Sequence, residues 1–111
     1  MAEQTLDIFK ESIPIFTMLQ DEKRQQILVM LCKNGQMTVN QITDSMSLSR
    51  PAISHHLKLM LGAGILAVTQ IGTERYYQAD MGNTLDLLKR LTASLEADVE
   101  KKAGSRRQFH G

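Results

Sequence analysis

Arg50, Ser54, His55 and Lys58 fall on one side of the stretch S-L-S-R-P-A-I-S-H-H-L-K-L-M-L-G-A-G-I, residues 47–65. Read as a helix from about Arg50 to Leu61, this stretch sets Ile53, Leu57 and Met60 at i, i+4, i+7 spacing, facing a core. The polar side holds hydroxyl, imidazole and cationic groups and no acid. Such a face suits the acceptor-rich major groove of DNA and its phosphates. Ser49 can cap the helix, Pro51 is tolerated in its first turn, and Gly62 or Gly64 ends it. The stretch is therefore predicted to be a DNA-recognition helix. Ser49 stands at the start of its DNA-facing side, Ser54 is a phosphate or base-edge donor, and Arg50 and Lys58 position phosphates or read guanine.

The pair His55-His56 invites a metal reading, but adjacent helical positions point about 100° apart. Helical ligand pairs sit at i, i+3 or i, i+4. For His55 a DNA contact is the better reading. His56 is open between packing, beneath the helix or against a wing after it, and a contact with the DNA backbone. Cys32, near the end of an apolar segment, reads as a small buried hydrophobe. A redox role would need exposure, a lowered pKa and a second thiol. Glu96, Asp98 and Glu100 read as a solvated face rather than a hard-metal site. No Gly-rich phosphate loop, nucleophile with a credible base or paired carboxylates on a cleft-forming element appears, so the chain does not read as an enzyme, and no cofactor or metal is expected.

The elements that would carry this helix can be taken in order. Residues 3–19 read as helical, with Leu6, Phe9, Ile13 and Phe16 along one stripe, and Pro14 predicts a kink or two short helices. Asp21 caps a second helix, Glu22 to about Lys33, which Asn34-Gly35 ends. Its apolar segment from Ile27 to Cys32 suggests a buried helix. Thr38 and Gln41 make a capping box for a short third helix, Val39 to about Met46, with Val39 and Ile42 inward. Ser47-Leu48 is the turn into the recognition helix, which completes a helix-turn-helix pattern. Residues 65–70 and 74–79 read as two strands around Ile71-Gly72-Thr73, a wing whose Arg75 can reach a phosphate or the minor groove. Asn83 caps a last helix, Thr84 to about Lys102, with an apolar stripe of Leu85, Leu88, Leu91 or Thr92, Leu95 and Val99. That stripe exceeds what so small a domain can cover. With the first helix it is the expected homodimer interface. Residues 103–111 read as a flexible basic tail behind a single domain, 1–102.

At 111 residues the chain has room for one core, and 42% hydrophobic with 23% charged residues excludes bulk disorder. No run is long enough to span a bilayer. Acidic residues near the start argue against a signal peptide, and the single cysteine fits a reducing, cytoplasmic compartment. The net charge is only +1, but its distribution matters. Residues 1–48 carry four Lys/Arg against six Asp/Glu, whereas residues 49–78 carry Arg50, Lys58 and Arg75 against Glu74. The positive excess sits on the proposed DNA face. Being small, it leaves affinity to dimerisation and specific contacts.

These residues resemble the ArsR/SmtB family of small bacterial winged-helix repressors. The likeness is carried by Ser49, Ile53, Ser54, His55, His56, Leu57, Met60, Ala63, Gly64 and Ile65. It extends upstream to Phe16, Leu19, Arg24, Ile27, Leu28 and Leu31, and downstream to Gly72-Thr73-Glu74-Arg75-Tyr76-Tyr77. It covers about residues 5–102, with Asp21-Glu22-Lys23 in place of the family's usual Asp-Pro before the helical Arg. The resemblance implies a mainly α fold with a small β-hairpin, in the order α-α-α-α-β-β-α. It also implies a homodimer on a near-palindromic double-stranded DNA operator and a block on transcription. The family's metal sites are not matched. Val39, Asn40, Gln41 and Ile42 stand where soft-metal sensors place cysteines. Leu88 stands where zinc and cobalt sensors place a histidine after a position that Asp86 could match. Members sensing oxidants or sulfide use a cysteine pair, which a single Cys32 cannot supply within one subunit.

The leading expectation is thus a DNA-binding transcriptional repressor, not membrane-bound and not metal-responsive, with its effector open. Two alternatives stand beside it. One is a winged-helix protein-interaction module with little DNA binding, favoured by the near-neutral charge and the aromatic wing. The other is a metal-responsive repressor with an atypical site.

Overall fold

The computed structural model describes residues 2–105, with side chains from residue 3 to residue 101. Its elements are α1 (Ala2–Met18), α2 (Glu22–Asn34), β1 (Met37–Thr38), α3 (Val39–Asp44), α4 (Arg50–Gly62), β2 (Leu66–Ile71), β3 (Glu74–Ala79) and α5 (Gly82–Ser105). The three strands form one antiparallel sheet in the order β1-β3-β2. This is a mainly helical, winged helix-turn-helix architecture. Among the described residues no helix is long and apolar enough to cross a membrane.

Local chemistry explains most boundaries. The Asp21 carboxylate accepts the backbone N–H groups of Lys23 at 2.8 Å and Arg24 at 3.1 Å, capping α2. The Arg24 bond, ahead of the Lys23 bond and nearby positive charge, holds that carboxyl below the ordinary Asp value against the opposing pull of desolvation. Thr38 and Gln41 close a reciprocal capping box around the start of α3. The end of α4 is a Schellman motif. Gly64 takes φ 78°, its N–H donates to Leu61 O, and Ile65 N–H donates to Met60 O. The apolar contact that accompanies such a motif fits here, since Ile65 and Met60 are both fully buried.

The core gathers Ile27, Leu28 and Leu31 of α2, Ile42 of α3, Ile53, Leu57 and Met60 of α4, Leu66 and Tyr77 of the sheet, and Ile15 and Leu87 of the outer helices. The three inward residues expected of α4 are all there.

Several expectations are corrected. Pro14 does not break α1, which runs unbroken to Met18. Pro14 and Lys10, whose carbonyl loses its partner, both lie on the solvent side, and the Ser12 hydroxyl bonds Ile8 O at 2.8 Å one turn earlier. The stripe Leu6, Phe9, Ile13 and Phe16, given no side from the sequence, is the outer face, while Thr5, Ile8, Ser12 and Ile15 turn inward. α2 is buried on one side only. Val29 and Cys32 face solvent, so Cys32 is not the buried hydrophobe expected of it. α3 stops at Asp44, where Ser45 and Met46 tighten into i→i−3 bonds to Ile42 and Thr43. β1 was not foreseen, since two residues leave no alternation to read; they pair Met37 with Tyr77 and Thr38 with Tyr76.

The wing turn is shorter than expected. Ile71 pairs with Glu74, leaving Gly72-Thr73 as a two-residue turn with Gly72 at φ 64°. α5 starts at Gly82, with Leu85 N–H donating to Met81 O, so Asn83 sits inside its first turn. It continues to Ser105, three residues beyond the expected end at Lys102, and residues 106–111 of the expected tail lie outside the described residues.

Candidate nucleic-acid interface

α4 is held against the core by Ile53, Leu57 and Met60, and this fixes what it offers to solvent. The exposed positions include Ser49 at the N-cap, then Arg50, Ser54, His55 and Lys58. The expected donors thus share one exposed surface, and α4 carries no acid. Ser49 has a local task as well, its hydroxyl accepting Ala52 N–H at 3.3 Å.

Two neighbouring elements carry further polar groups. Arg50 Nε donates to Asn40 Oδ1 on α3 at 2.9 Å, so the two helices of the helix-turn-helix are joined at its exposed edge. Asn40 was not among the expected contact residues. In the sequence it marks only a place where a metal-binding cysteine is absent. The signal that could have found it is an exposed amide in the first turn of the helix preceding a recognition helix. On the wing, Arg75 follows Glu74 at the start of β3, is exposed, and lies 5.8 Å from the centroid of the Tyr77 ring. Tyr77 is itself in the core, so the wing cation leans on an anchored aromatic.

His55 and His56 part company. His55 is exposed, whereas His56 is half-buried, with its ring centroid 6.3 Å from that of His55. The Nδ1 atom of His56 lies 3.3 Å from the Arg24 guanidinium, and Arg24 Nε donates to Met18 O at 2.7 Å. His56 is thus turned toward Arg24 of α2. In the sequence Arg24 stands out only as part of a family pattern, and its contacts were not foreseen.

Among the described residues, no three His, Cys, Asp or Glu side chains gather as ion ligands. An open groove of about 420 Å³ lies between α1 and α4, lined by Pro14, Thr17 and Met18 of α1 and by Lys58, Leu59 and Gly62 of α4.

Away from this surface, α1 and α5 pack on each other through Ile8, Ile15, Leu87 and Leu91. Thr5 hydrogen-bonds Ser94 and Asp98, and Arg90 reaches Glu11 at 3.3 Å. Their other sides carry exposed Leu6 (59%), Ile13 (54%), Leu95 (40%) and Val99 (53%).

Comparison with known proteins agrees with this fold. Residues 21–68 match the family described as bacterial regulatory protein, arsR family. The chain is 35% identical over 72 residues to an HTH-type transcriptional regulator of Methanocaldococcus jannaschii, covering 65% of this chain and 81% of that protein. It is 30% identical over 77 residues to the arsenical resistance operon repressor of Bacillus subtilis, covering 69% and 73%. Its fold matches an ArsR-like transcriptional regulator from Rhodococcus sp. RHA1 with a TM-score of 0.75 at 23% identity, over 91% of this chain and 97% of that one.

Proposed function

The chain belongs to the ArsR family of bacterial regulatory proteins, which are DNA-binding transcriptional regulators and not enzymes, and from that premise we propose that it is a homodimeric repressor of a near-palindromic operator. The observation that carries the reading is the exposed, acid-free side of α4, together with an exposed arginine on the wing. In this reading two copies of α4 enter successive major grooves about 34 Å apart. Ser54 and His55 donate to base edges or phosphates, Ser49 and Arg50 hold the helix start on the backbone, and Lys58 and Arg75 neutralise phosphates. His56 presents to DNA the part of its ring turned away from Arg24. Dimerisation runs through the uncovered stripes of α1 and α5, and the working compartment is the cytoplasm.

The repressor is read as not metal-responsive. Supporting this, the positions where soft-metal members carry cysteines hold Val39 to Ile42, and Leu88 stands in place of a zinc-site histidine. The test is a salt-varied titration against the DNA upstream of the chain's own coding region, with and without Zn²⁺, Cu⁺, chelator and oxidant. Tight, salt-sensitive binding indifferent to all additions is the expected result. Release by one metal would overturn the metal-independent reading. No binding above the non-specific level would replace the repressor by a protein-interaction module.

A further inference from the structure

One guanidinium ties the recognition helix to the end of the first helix. Arg24 sits in the first turn of α2, its Nε donates to the carbonyl of Met18, the last residue of α1, and its terminal nitrogen faces Nδ1 of His56 on α4. Its backbone N–H is fixed as well, on the Asp21 cap. A guanidinium has five N–H donors and no acceptor, and it keeps its proton throughout the range in which proteins fold. The imidazole nitrogen facing it must therefore be the acceptor. With the lone pair on Nδ1, a neutral His56 carries its proton on Nε2, on the side of the ring away from Arg24. Two bonds from one rigid plane also set the distance between the end of α1 and α4, because a planar fork cannot lengthen one contact without tilting the other.

We propose that Arg24 is a positioning residue for operator binding: it fixes His56 as the Nε2–H tautomer and sets the seat of α4 against the C-terminal end of α1, without itself touching DNA. This rests on the reading of α4 as the helix that enters the groove. It makes a dimer contact on α1 and the placement of the reading helix parts of one mechanical unit, with Arg24 as the link.

The test has a spectroscopic arm and a binding arm. Long-range proton–nitrogen NMR spectra of the full chain in mildly alkaline solution report which ring nitrogen of His56 is protonated. Nε2 protonation is expected in the wild type, moving toward a mixture in Arg24→Met. A wild-type His56 protonated on Nδ1 overturns the proposal. In operator titrations, Arg24→Met should bind about tenfold more weakly, as for a lost hydrogen bond to a charged group. Its salt slope should match the wild type, since no phosphate contact is removed. An unchanged affinity, or a slope smaller by about one, overturns the positioning role, the latter by making Arg24 a direct phosphate contact.

His56→Gln and His56→Leu guard against a variant that does not fold. The glutamine can accept from Arg24 and donate outward, so it should retain more affinity than the leucine, and equal losses contradict the proposal. If the wild type binds no operator, the repressor reading fails first, and the tautomer alone then decides whether Arg24 orients His56.

Discussion

The helix-turn-helix with its wing and the arm made of α1 and α5 handle their apolar residues in opposite ways. In the former, Ile27, Leu31, Ile42, Ile53, Leu57 and Met60 turn inward and are covered by the same chain. In the arm, Leu6, Phe9, Ile13, Phe16, Leu95 and Val99 turn outward, while Ile8, Ile15, Leu87 and Leu91 are buried. Thr5, Ser12 and Thr84 of these helices are buried short side chains, and Thr5 bonds across to Ser94 and Asp98. The hydroxyls of Thr5 and Ser12 are hydrogen-bonded there. One region is finished by folding, and the other leaves an exposed apolar reserve.

Breaking the finished region should have the largest effect. Leu57→Ala opens a cavity beneath α4 and should cost about 2–5 kcal/mol of folding stability, read by denaturant unfolding. A loss below about 1 kcal/mol would mean that α4 is not seated on this core. Leu95→Glu tests the reserve. The residue is 40% exposed in the single chain, so unfolding of the isolated subunit should change little. Sedimentation should show dissociation, and operator affinity should fall about a hundredfold with the lost second half-site. An intact dimer would move the interface off α5. Thr38→Ala removes half of the capping box and should cost about 1 kcal/mol. No change there would place the start of α3 under tertiary control alone.

The same contrast explains what the sequence made legible. α4 could be read almost residue by residue, because its polar and apolar residues separate cleanly and Ser49 and Gly64 mark its ends. The caps at Asp21 and Thr38 were equally plain, since capping is local chemistry. The arm was harder. α1 carries two helical stripes, and periodicity selects the more apolar one, Leu6 to Phe16, without saying whether its own chain or another surface covers it. Pro14 misled because breaking a helix depends on whether the orphaned carbonyl is buried, which is a tertiary fact. Cys32 misled for a related reason, as an apolar run says nothing of how many sides of its helix are covered. Asn40 and Arg24 were missed because each matters through a partner more than nine residues away in sequence, Arg50 in one case and His56 in the other. No local pattern records such a pairing.

The central claim is that the exposed side of α4 meets DNA, and Lys58→Ala tests it most directly. Lys58 is exposed and has no part in the core, so the substitution should leave the fold intact. Operator affinity measured across a range of salt concentrations should fall several-fold, with the slope of log affinity against log salt smaller in magnitude by about one. An unchanged affinity together with an unchanged slope would contradict the assignment of this side of α4 to DNA.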